Sequence, residues 1–256
     1  MLVVYGSKYY GRKNAFSTMG VCENCGHFGP LRHFNGKKWG HIYYIPLIPS
    51  GPRSRVVNEC KNCETVMAIP EKNVPKMVVE ILEDVQQLIA TEREIENEPE
   101  TLNATLASIA GYYELIVKLH AMDGENKFKS LLDRSRFKLA RAVVDAKAAE
   151  MKGEDHTLER ILEGESSAVN LPYINLTLAD AYLRTNQLNK AEERFLIAAA
   201  ADHENIYPRY MLLMIYKAND DRGRFLSLYN EVVAIDPKLA KDKAIKKYYK
   251  AITKGH

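Results

Sequence analysis

The pattern of hydrophobic and polar positions changes character near residue 74 of this 256-residue chain. Before that point, short runs of aromatic and β-branched residues are separated by glycine, proline and polar residues, which is typical of β-strands and turns. We predict a strand ended by prolines over Trp39–Pro49 and a turn over residues 50–54. Shorter strands are predicted over residues 55–59, 65–70 and, as an edge strand, 3–8.

Beyond residue 74, apolar residues recur at spacings of three and four, which predicts amphipathic helices. Pro75 suits the first position of the first helix, whose apolar stripe runs from Met77 to Ile89. The acidic run that follows, residues 92–100, is expected to be the solvated, frayed end of that helix. Attraction to a basic partner is the alternative interpretation of this run.

Two further helices are predicted in the middle of the chain. Thr101 is expected to cap the second helix, which runs to about Met122. A third helix is predicted from about residue 127 to residue 151, with Lys152 and Gly153 ending it in the usual way. The segment 164–167 is the clearest flexible link in this half of the chain, because it combines glycine and serine.

The last part of the chain contains an internal repeat with a period of 34 residues. The repeated small and large apolar positions are Leu178, Ala179, Tyr182, Ala191, Phe195 and Ala198, and then Leu212, Leu213, Tyr216, Phe225, Tyr229 and Val232. Together with Pro237 they resemble tetratricopeptide (TPR) helix pairs, although Phe225 replaces the usual alanine and His203 the first closing proline. A lysine-rich helix over about 238–252 resembles a cap. Because such arrays need about three units, we expect residues 101–151 to form degenerate repeats or a packed helical layer.

All four cysteines fall in two Cys-x-x-Cys pairs, Cys22 with Cys25 and Cys60 with Cys63. Two such turns supply the four tetrahedral thiolate ligands that zinc prefers, and a four-thiolate site is closed to substrate. We therefore predict one structural Zn²⁺, with iron and disulfides as the alternatives. The nearby histidines, His27, His33 and His41, are expected at the surface or behind the ligands rather than on the metal.

A wider pattern surrounds the two cysteine pairs. Tyr-Gly-Ser-Lys at residues 5–8, a Cys-x-x-Cys-Gly turn, Tyr-Tyr-Ile-Pro-Leu-Ile-Pro at residues 43–49 and a second Cys-x-x-Cys resemble a small N-terminal zinc-ribbon family. The resemblance covers about residues 1–70, and Glu64 stands where that family often has glycine. It implies a β fold and a bound metal but no particular function. We expect at least half of the apolar side chains in the 43–48 segment to pack into a core.

The predicted fold class is therefore α+β multidomain, a small β zinc ribbon followed by an all-α helical-repeat (TPR-like) domain. The predicted domains are 1–73 for the ribbon, 74–165 for the helical region and 166–256 for the repeats with their cap. The composition, 46% hydrophobic and 27% charged, is that of a globular protein. The chain has no membrane-spanning run and no signal peptide, which predicts a reducing, cytoplasmic location where paired thiols bind metal.

The expected function is a non-catalytic adaptor, because the sequence has no phosphate-binding loop, nucleophile elbow or metalloprotease motif. A protein or peptide partner would occupy a groove formed by the first helix of each repeat, with Asn175, Arg184, Arg209 and Lys217 as candidate contacts. Membrane association through the segment 43–49 is a weaker alternative, since a buried hairpin accounts for the same residues. The oligomeric state is not predicted.

Nucleic-acid binding is the main alternative function. The net charge of +3 is uneven: residues 1–76 carry 11 basic and 4 acidic groups, a net of +7, whereas residues 77–168 carry 11 and 19, a net of −8. Basic residues of the ribbon interleave with Trp39, Tyr43 and Tyr44, which suits phosphate contacts combined with base stacking. The candidate residues are Arg12, Lys13, Lys37, Lys38, Arg53 and Arg55. The acidic middle of the chain and ordinary solvation of helix faces count against this interpretation.

Overall fold

The computed structural model describes residues 5–42, 45–91, 98–135, 137–165 and 170–253. The chain divides into two compact units, Met1–Glu154 and Asp155–His256. Within the described residues, the first unit holds a four-stranded sheet and four α-helices, and the second holds six α-helices. A small β domain followed by an all-α region is thus confirmed, whereas the three-part division of the sequence stays a prediction.

The sheet is an antiparallel meander in the order β1-β2-β3-β4. Its strands are β1 (Tyr5–Val21), β2 (Phe28–Ile42), β3 (Ile45–Cys60) and β4 (Val66–Pro70). The short β4 confirms the predicted strand at 65–70. Residues 3 and 4 of the predicted edge strand lie outside the described residues, and β1 continues far beyond its predicted end.

The predicted single strand over Trp39–Pro49 is wrong. Its two halves belong to β2 and β3, which pair with each other through Trp39 and Pro49 and through Ile42 and Ile45. The predicted turn at 50–54 is also wrong, because β3 runs through it. Proline is tolerated there because β4 pairs with β3 only between Ser54 and Glu59, so that residues 45–53 form an outer edge where no N–H is needed.

Four helices follow the sheet in the first unit, namely α1 (Val74–Ala90), α2 (Pro99–Lys118), α3 (Met122–Arg134) and α4 (Lys138–Lys152). Their core is formed by fully buried apolar side chains, among them Leu106, Ile116 and Phe128. The helix ends were partly mispredicted. Helix α2 starts at Pro99 rather than at Thr101, whose hydroxyl instead donates to the Glu98 carboxylate.

The predicted long helix over 127–151 is wrong, since α3 and α4 are separate. Ser135 takes an extended conformation, with ψ of 159°, and its hydroxyl oxygen accepts from the Phe137 N–H. A serine side chain that bonds the backbone in this way competes with helical hydrogen bonding. The predicted helix end at Lys152 and Gly153 is confirmed, because Gly153 closes α4 in a left-handed conformation with φ of 77°.

Arg55 joins the sheet to the helices inside the first unit. Its side chain is fully buried, donating from Nε to the Lys118 carbonyl at 2.8 Å and from Nη1 to Asn14 O and Asn35 Oδ1. Lys118 is the last residue of α2, where unpaired carbonyls and the helix dipole favour a cation. The guanidinium also lies 5.1 Å from the Phe16 ring centre. One side chain therefore ties together β1, β2, β3 and α2.

The second unit contains α5 (Asp155–Glu163), α6 (Pro172–Arg184), α7 (Leu188–Ala201), α8 (Ile206–Ala218), α9 (Arg222–Ile235) and α10 (Lys243–Thr253). Helices α8 and α9 each begin 34 residues after α6 and α7, at 206 against 172 and at 222 against 188. All twelve repeat positions inferred from the sequence are buried. The predicted period is thus present in the helix spacing, although its assignment to the TPR type stays a prediction.

The end of the chain differs in detail from the expected cap. A 3-10 turn over Pro237–Lys241 precedes α10, so the last α-helix begins five residues later than predicted, at Lys243 instead of about 238. Residues 166 and 167, half of the predicted flexible link, lie outside the described residues. In the part of the chain that the structure describes, no helix is long and apolar enough to cross a bilayer.

Candidate metal centre

The two Cys-x-x-Cys turns bring their four sulfur atoms together at one end of the sheet. The Sγ atoms of Cys22, Cys25, Cys60 and Cys63 all lie within 4.8 Å of one another. The shortest approaches join the two turns, 3.7 Å between Cys22 and Cys63 and 3.9 Å between Cys25 and Cys60. The predicted grouping of all four thiols is therefore confirmed.

The sulfur spacing fits a tetrahedral metal ion. Four ligands placed 2.3 Å from a central zinc lie about 3.8 Å from one another. The approaches of 3.7 and 3.9 Å match that edge length, and all four cysteines are free. A disulfide needs its sulfurs about 2.05 Å apart, so these are free thiols in an arrangement that could hold a metal ion. Iron and zinc have similar bond lengths to thiolate, and the spacing does not separate them.

Local backbone hydrogen bonds hold the first turn in shape. The Gly26 N–H donates to Cys22 O at 2.8 Å, and the Cys22 N–H donates to His27 O at 2.9 Å. In the second turn, the Cys60 N–H donates to Thr65 O at 3.1 Å. Closure of each loop needs a left-handed residue directly after the second cysteine. Gly26 has φ of +66° and Glu64 has φ of +58° at this position.

We expect Glu64→Gly to stabilise the metal centre and Gly26→Ala to destabilise it. A side chain at positive φ is strained, and nothing lies within 4 Å of the Cβ that Gly26→Ala would add, so strain alone decides. Glycine at 64 should raise the free energy of unfolding by about 0.5–1 kcal/mol, and alanine at 26 should lower it by about 1 kcal/mol. Thermal unfolding and chelator competition on both variants measure the two effects. A weaker metal site in Glu64→Gly would contradict the strain argument.

Polar neighbours prepare part of the site for a cation. The Thr65 hydroxyl lies 3.3 Å from the Cys63 Sγ, and donation from its side chain and backbone lowers the pKa of Cys63 to about 6. The backbone N–H of Cys25 lowers the pKa of Cys22, but burial and the neighbouring thiols raise it to about 11. Thr65 was not anticipated as part of the site, although a hydroxyl two residues after a knuckle cysteine is a signal that the sequence offers.

Among the described residues, none of the three nearby histidines belongs to the cysteine cluster. His27 is exposed and contributes its backbone carbonyl to the first turn. His33 is fully buried, with Nδ1 2.7 Å from Val57 O and Nε2 2.8 Å from the Thr18 hydroxyl. Because a carbonyl only accepts, Nδ1 carries the proton and Nε2 accepts from Thr18. Burial, opposed by the Val57 carbonyl and assisted by the cations Lys118 and Arg55, lowers the pKa of His33 to about 4.

We expect His33 to make the sheet acid-sensitive between pH 6.5 and 4. Its pKa in the folded state lies below the ordinary value of 6.5, so over this range the unfolded chain binds a proton that the folded protein does not. Its stabilisation is complete above pH 6.5 and falls by about 2–3 kcal/mol as the pH drops to 4. NMR titration of the His33 ring, and urea unfolding of wild type against His33→Asn at each pH, measure it. A ring that titrates near pH 6.5 would contradict the prediction.

The six basic residues considered for nucleic-acid binding do not form one free cationic surface. Arg12 donates to both carboxylate oxygens of Glu59, at 3.0 and 2.8 Å, and Arg53 lies 3.4 Å from Glu71. Arg55 is buried and bonded to backbone carbonyls, which removes it from any surface contact. The remaining three, Lys13, Lys37 and Lys38, are at least partly exposed.

Of the four residues considered for a peptide groove, some are buried or paired within the protein and one is partly exposed. Asn175 is fully buried and donates to Leu171 O at 3.0 Å. Arg209 is 4% exposed and donates to the carbonyls of Ala199, Asp202 and Asn205 and to Glu231. Arg184 pairs with Asp155 at 2.7 Å. Among the described candidates, Lys217 of α8 is partly exposed at the surface.

The apolar segment near the hairpin end is not packed as expected. Ile45, Leu47 and Ile48 are 61%, 53% and 68% exposed. With three of the five apolar residues of the segment 43–48 exposed, the expectation that at least half of them pack into a core is wrong. Tyr43 and Tyr44 lie outside the described residues.

The structure and sequence were also compared with known proteins. No protein-family model matches the chain. Searches of curated proteins and of solved structures found no match either. The assignment of this metal centre thus rests on its own geometry.

Proposed function

We propose that this protein is a non-catalytic adaptor, in which TPR-like helices bind a protein or peptide and a structural zinc ion stabilises the sheet. The observation that carries the proposal is the contact between the first helices of the two repeats. The Tyr207 hydroxyl of α8 donates to Asp180 of α6 at 2.7 Å. The start of α8 therefore contacts the second half of α6, which supports a stacking of the two repeats through their first helices.

The exposed face of these first helices suits a partner. On α8, Tyr207 is 40% exposed, and Tyr210, Met211 and Met214 are partly exposed at helical spacings of three and four. Residues at this spacing share one face of a helix. Tyrosine supplies much of the binding energy at protein interfaces, and methionine adapts to irregular apolar surfaces. We infer that an amphipathic helix or peptide with apolar anchors binds this face.

A third helix start supports the repeat interpretation. Helix α4 begins at Lys138, which is 34 residues before Pro172 of α6, just as α8 begins 34 residues after it. Three starts at one spacing agree with the number of units that a stable array requires. This spacing favours degenerate repeats over an unrelated helical layer for the stretch that leads into α6.

Zinc is the metal that best suits the four-thiolate site in a reducing, cytoplasmic compartment. With four protein ligands the ion has no open position for water or substrate, and all four cysteines of the chain are used. The ion would therefore add folding free energy and no catalysis. The chain offers no other group of three or more potential ligands among the described residues.

The adaptor proposal is tested by recovering bound proteins from a nuclease-treated native lysate. We expect partner proteins to bind the intact chain and to be lost from a Met211→Glu, Met214→Glu variant. The matched control is Leu196→Glu on α7, where the leucine is 48% exposed outside the proposed face. Binding that survives the double variant, or that the control abolishes equally, would contradict the proposed face.

A second arm of this experiment locates the role of the metal. In a Cys60→Ser, Cys63→Ser variant the α8 face is unchanged in sequence, so a partner that binds only this face should still be recovered. Its loss would place part of the contact on the sheet. Recovery of nucleic acid alone from an untreated lysate, released by salt, would replace the adaptor proposal by the nucleic-acid alternative.

A further inference from the structure

The half of the sheet farther from the metal centre, measured along the strands, forms an arm. We define the arm as residues 5–13 of β1, 35–42 of β2 and 45–53 of β3. The metal ligands lie at the opposite ends of these strands, where Val21 pairs with Phe28 and Leu31 with Cys60. Only three strands build the arm, because β4 pairs with β3 no further than Ser54.

The end of the arm carries exposed aliphatic side chains. Ile45, Leu47 and Ile48 are all more than half exposed, within four consecutive positions of β3. Contiguous exposed apolar residues at one place are unusual on a soluble surface and mark an interaction site. They lie beside the Ile42–Ile45 pair, at the end of the pairing between β2 and β3.

The charged residues of the arm itself are all basic. They are Lys8, Arg12, Lys13, Lys37, Lys38 and Arg53, of which Arg12 pairs with Glu59 and Arg53 with Glu71 outside the arm. Lys8, Lys38 and Arg53 are exposed on the arm itself. A surface with this charge complements a polyanion.

Aromatic side chains lie in the same rows of the arm as its cations. Trp39 pairs with Lys8 on one side and with Pro49 on the other, and Tyr10 pairs with Lys37 two positions along. Directly paired residues of antiparallel strands point to the same face, so these side chains share one face of the arm. Lys37 Nζ lies 5.8 Å from the centre of the Trp39 ring. Trp39 and Tyr10 are both partly exposed.

Two other kinds of partner fit this surface less well. A second polypeptide that adds a strand to β3 would need backbone N–H groups along its outer edge, but Pro46, Pro49 and Pro52 remove three of them. A single-stranded nucleic acid would use the cations and the aromatic rings. Those contacts do not require the exposed aliphatic side chains of Ile45, Leu47 and Ile48 at the end of the arm.

We propose that the arm binds the surface of anionic lipid bilayers, with Ile45, Leu47 and Ile48 inserted below the headgroups. The adjoining lysines and Arg53 contact the lipid phosphates and carboxylates. Trp39 and Tyr10 lie at the headgroup level, where amphipathic rings are favoured. Peripheral binding of this kind combines burial of apolar area with attraction to anionic lipid. The proposal is independent of the adaptor function of the helices.

The single tryptophan of the chain makes the test direct. The intact, zinc-loaded protein is titrated with vesicles of phosphatidylcholine alone and with vesicles containing phosphatidylserine. We expect a blue shift of Trp39 emission and co-flotation with the anionic vesicles, with affinity at least about tenfold above that for neutral vesicles. Raising the salt concentration should weaken binding, because it screens the attraction.

Two double variants distinguish the contribution of inserted apolar side chains from that of the basic residues. Leu47→Ser, Ile48→Ser should weaken binding to anionic vesicles by about tenfold or more, since it removes most of the inserted apolar area. Lys37→Glu, Lys38→Glu should abolish the preference for anionic lipid. Matched controls outside the arm are Leu196→Ser and Lys246→Glu, Lys247→Glu, which alter an exposed leucine and an exposed lysine pair of the second unit. These controls should bind like wild type.

Three outcomes would overturn the proposal. The first is an unchanged Trp39 spectrum and no flotation with anionic vesicles. The second is equal weakening by the arm variants and by their controls, which would show binding through general charge or unfolding. The third is quenching of Trp39 by a single-stranded oligonucleotide without any response to vesicles, which would assign the surface to nucleic acid. Bound zinc, measured on every variant, verifies that the sheet remains folded.

Discussion

Loss of the metal is expected to unfold the sheet while the second unit keeps its helices. Binding of zinc to four thiolates contributes about 10 kcal/mol or more of folding free energy in small ribbons. The buried residues packed at this end of the sheet are few, namely Cys22, Leu31 and Cys60, with Cys63 partly buried against them. Two of its three fully buried members are themselves ligands, so apolar packing alone cannot replace the ion.

This expectation is measured on a Cys60→Ser, Cys63→Ser variant and on the chelator-treated wild type. We expect one zinc per chain in the wild type by elemental analysis, none in the variant, and loss of amide protection throughout β1–β3. Helical circular dichroism from α6–α9 should remain, because the second unit has its own buried core. Lys61→Ser, inside the same turn, is the matched control and should keep both metal and protection.

Other results would change the structural role of the metal, its identity or the residues that hold it. A sheet that stays protected without any ion would show that the thiols do not hold the fold together. Iron in place of zinc, in protein isolated without added metal, would keep the structural role but change the element. Metal binding by Lys61→Ser equal to that of the double variant would mean that the turn, and not its thiols, is the sensitive feature.

Replacement of Arg55 is expected to have the next largest effect. Arg55→Met keeps most of the side-chain volume but leaves the carbonyls of Lys118 and Asn14 and the Asn35 amide oxygen without their donor. Buried acceptors that lose a charged donor cost about 1–3 kcal/mol each. We therefore expect the first unit to lose about 3–5 kcal/mol. Burial lowers the pKa of Arg55 to about 10, which leaves the guanidinium charged at neutral pH.

Arg53 provides the matched control for this prediction. It lies two positions away on the same strand, its side chain is 50% exposed, and its contact with Glu71 at 3.4 Å is at the surface. Arg53→Met should cost less than about 1 kcal/mol. Arg55→Lys should recover only part of the loss, because one ammonium cannot reproduce the planar set of donors. Denaturant unfolding followed by sheet-specific amide signals measures all three, and equal losses at 53 and 55 would contradict the anchoring role.

The sequence was sufficient wherever a short, periodic pattern forces geometry. Two residues between cysteines place both thiols on one tight turn, and the structure brings Cys22, Cys25, Cys60 and Cys63 within 4.8 Å. A 34-residue period of small and large apolar residues fixes which helix faces meet. All twelve of those positions are buried. In both cases the interaction that decides the outcome is local or repeats locally, so it can be inferred without the rest of the chain.

Polar residues were the first place where the sequence failed. Arg55, Asn175 and Arg209 were considered as surface contacts, yet all three are buried against backbone carbonyls. A charged or amide side chain is buried only when acceptors from distant parts of the chain meet it. Those acceptors belong to residues such as Lys118, which is 63 positions from Arg55. No local sequence pattern indicates that these distant acceptors will lie next to the side chain.

The exposure of the apolar side chains on the arm was the second feature that the sequence did not predict. Ile45, Leu47 and Ile48 have the composition of a core strand, and local preference predicts burial for them. Whether the side chains of a strand are covered depends on which element packs against the face of its sheet, and these three are all more than half exposed. The cysteine spacing and the helix period thus determined the metal centre and the repeats. Only the tertiary structure decided which charged residues are buried and which apolar residues face solvent, because both depend on contacts between segments far apart in the chain.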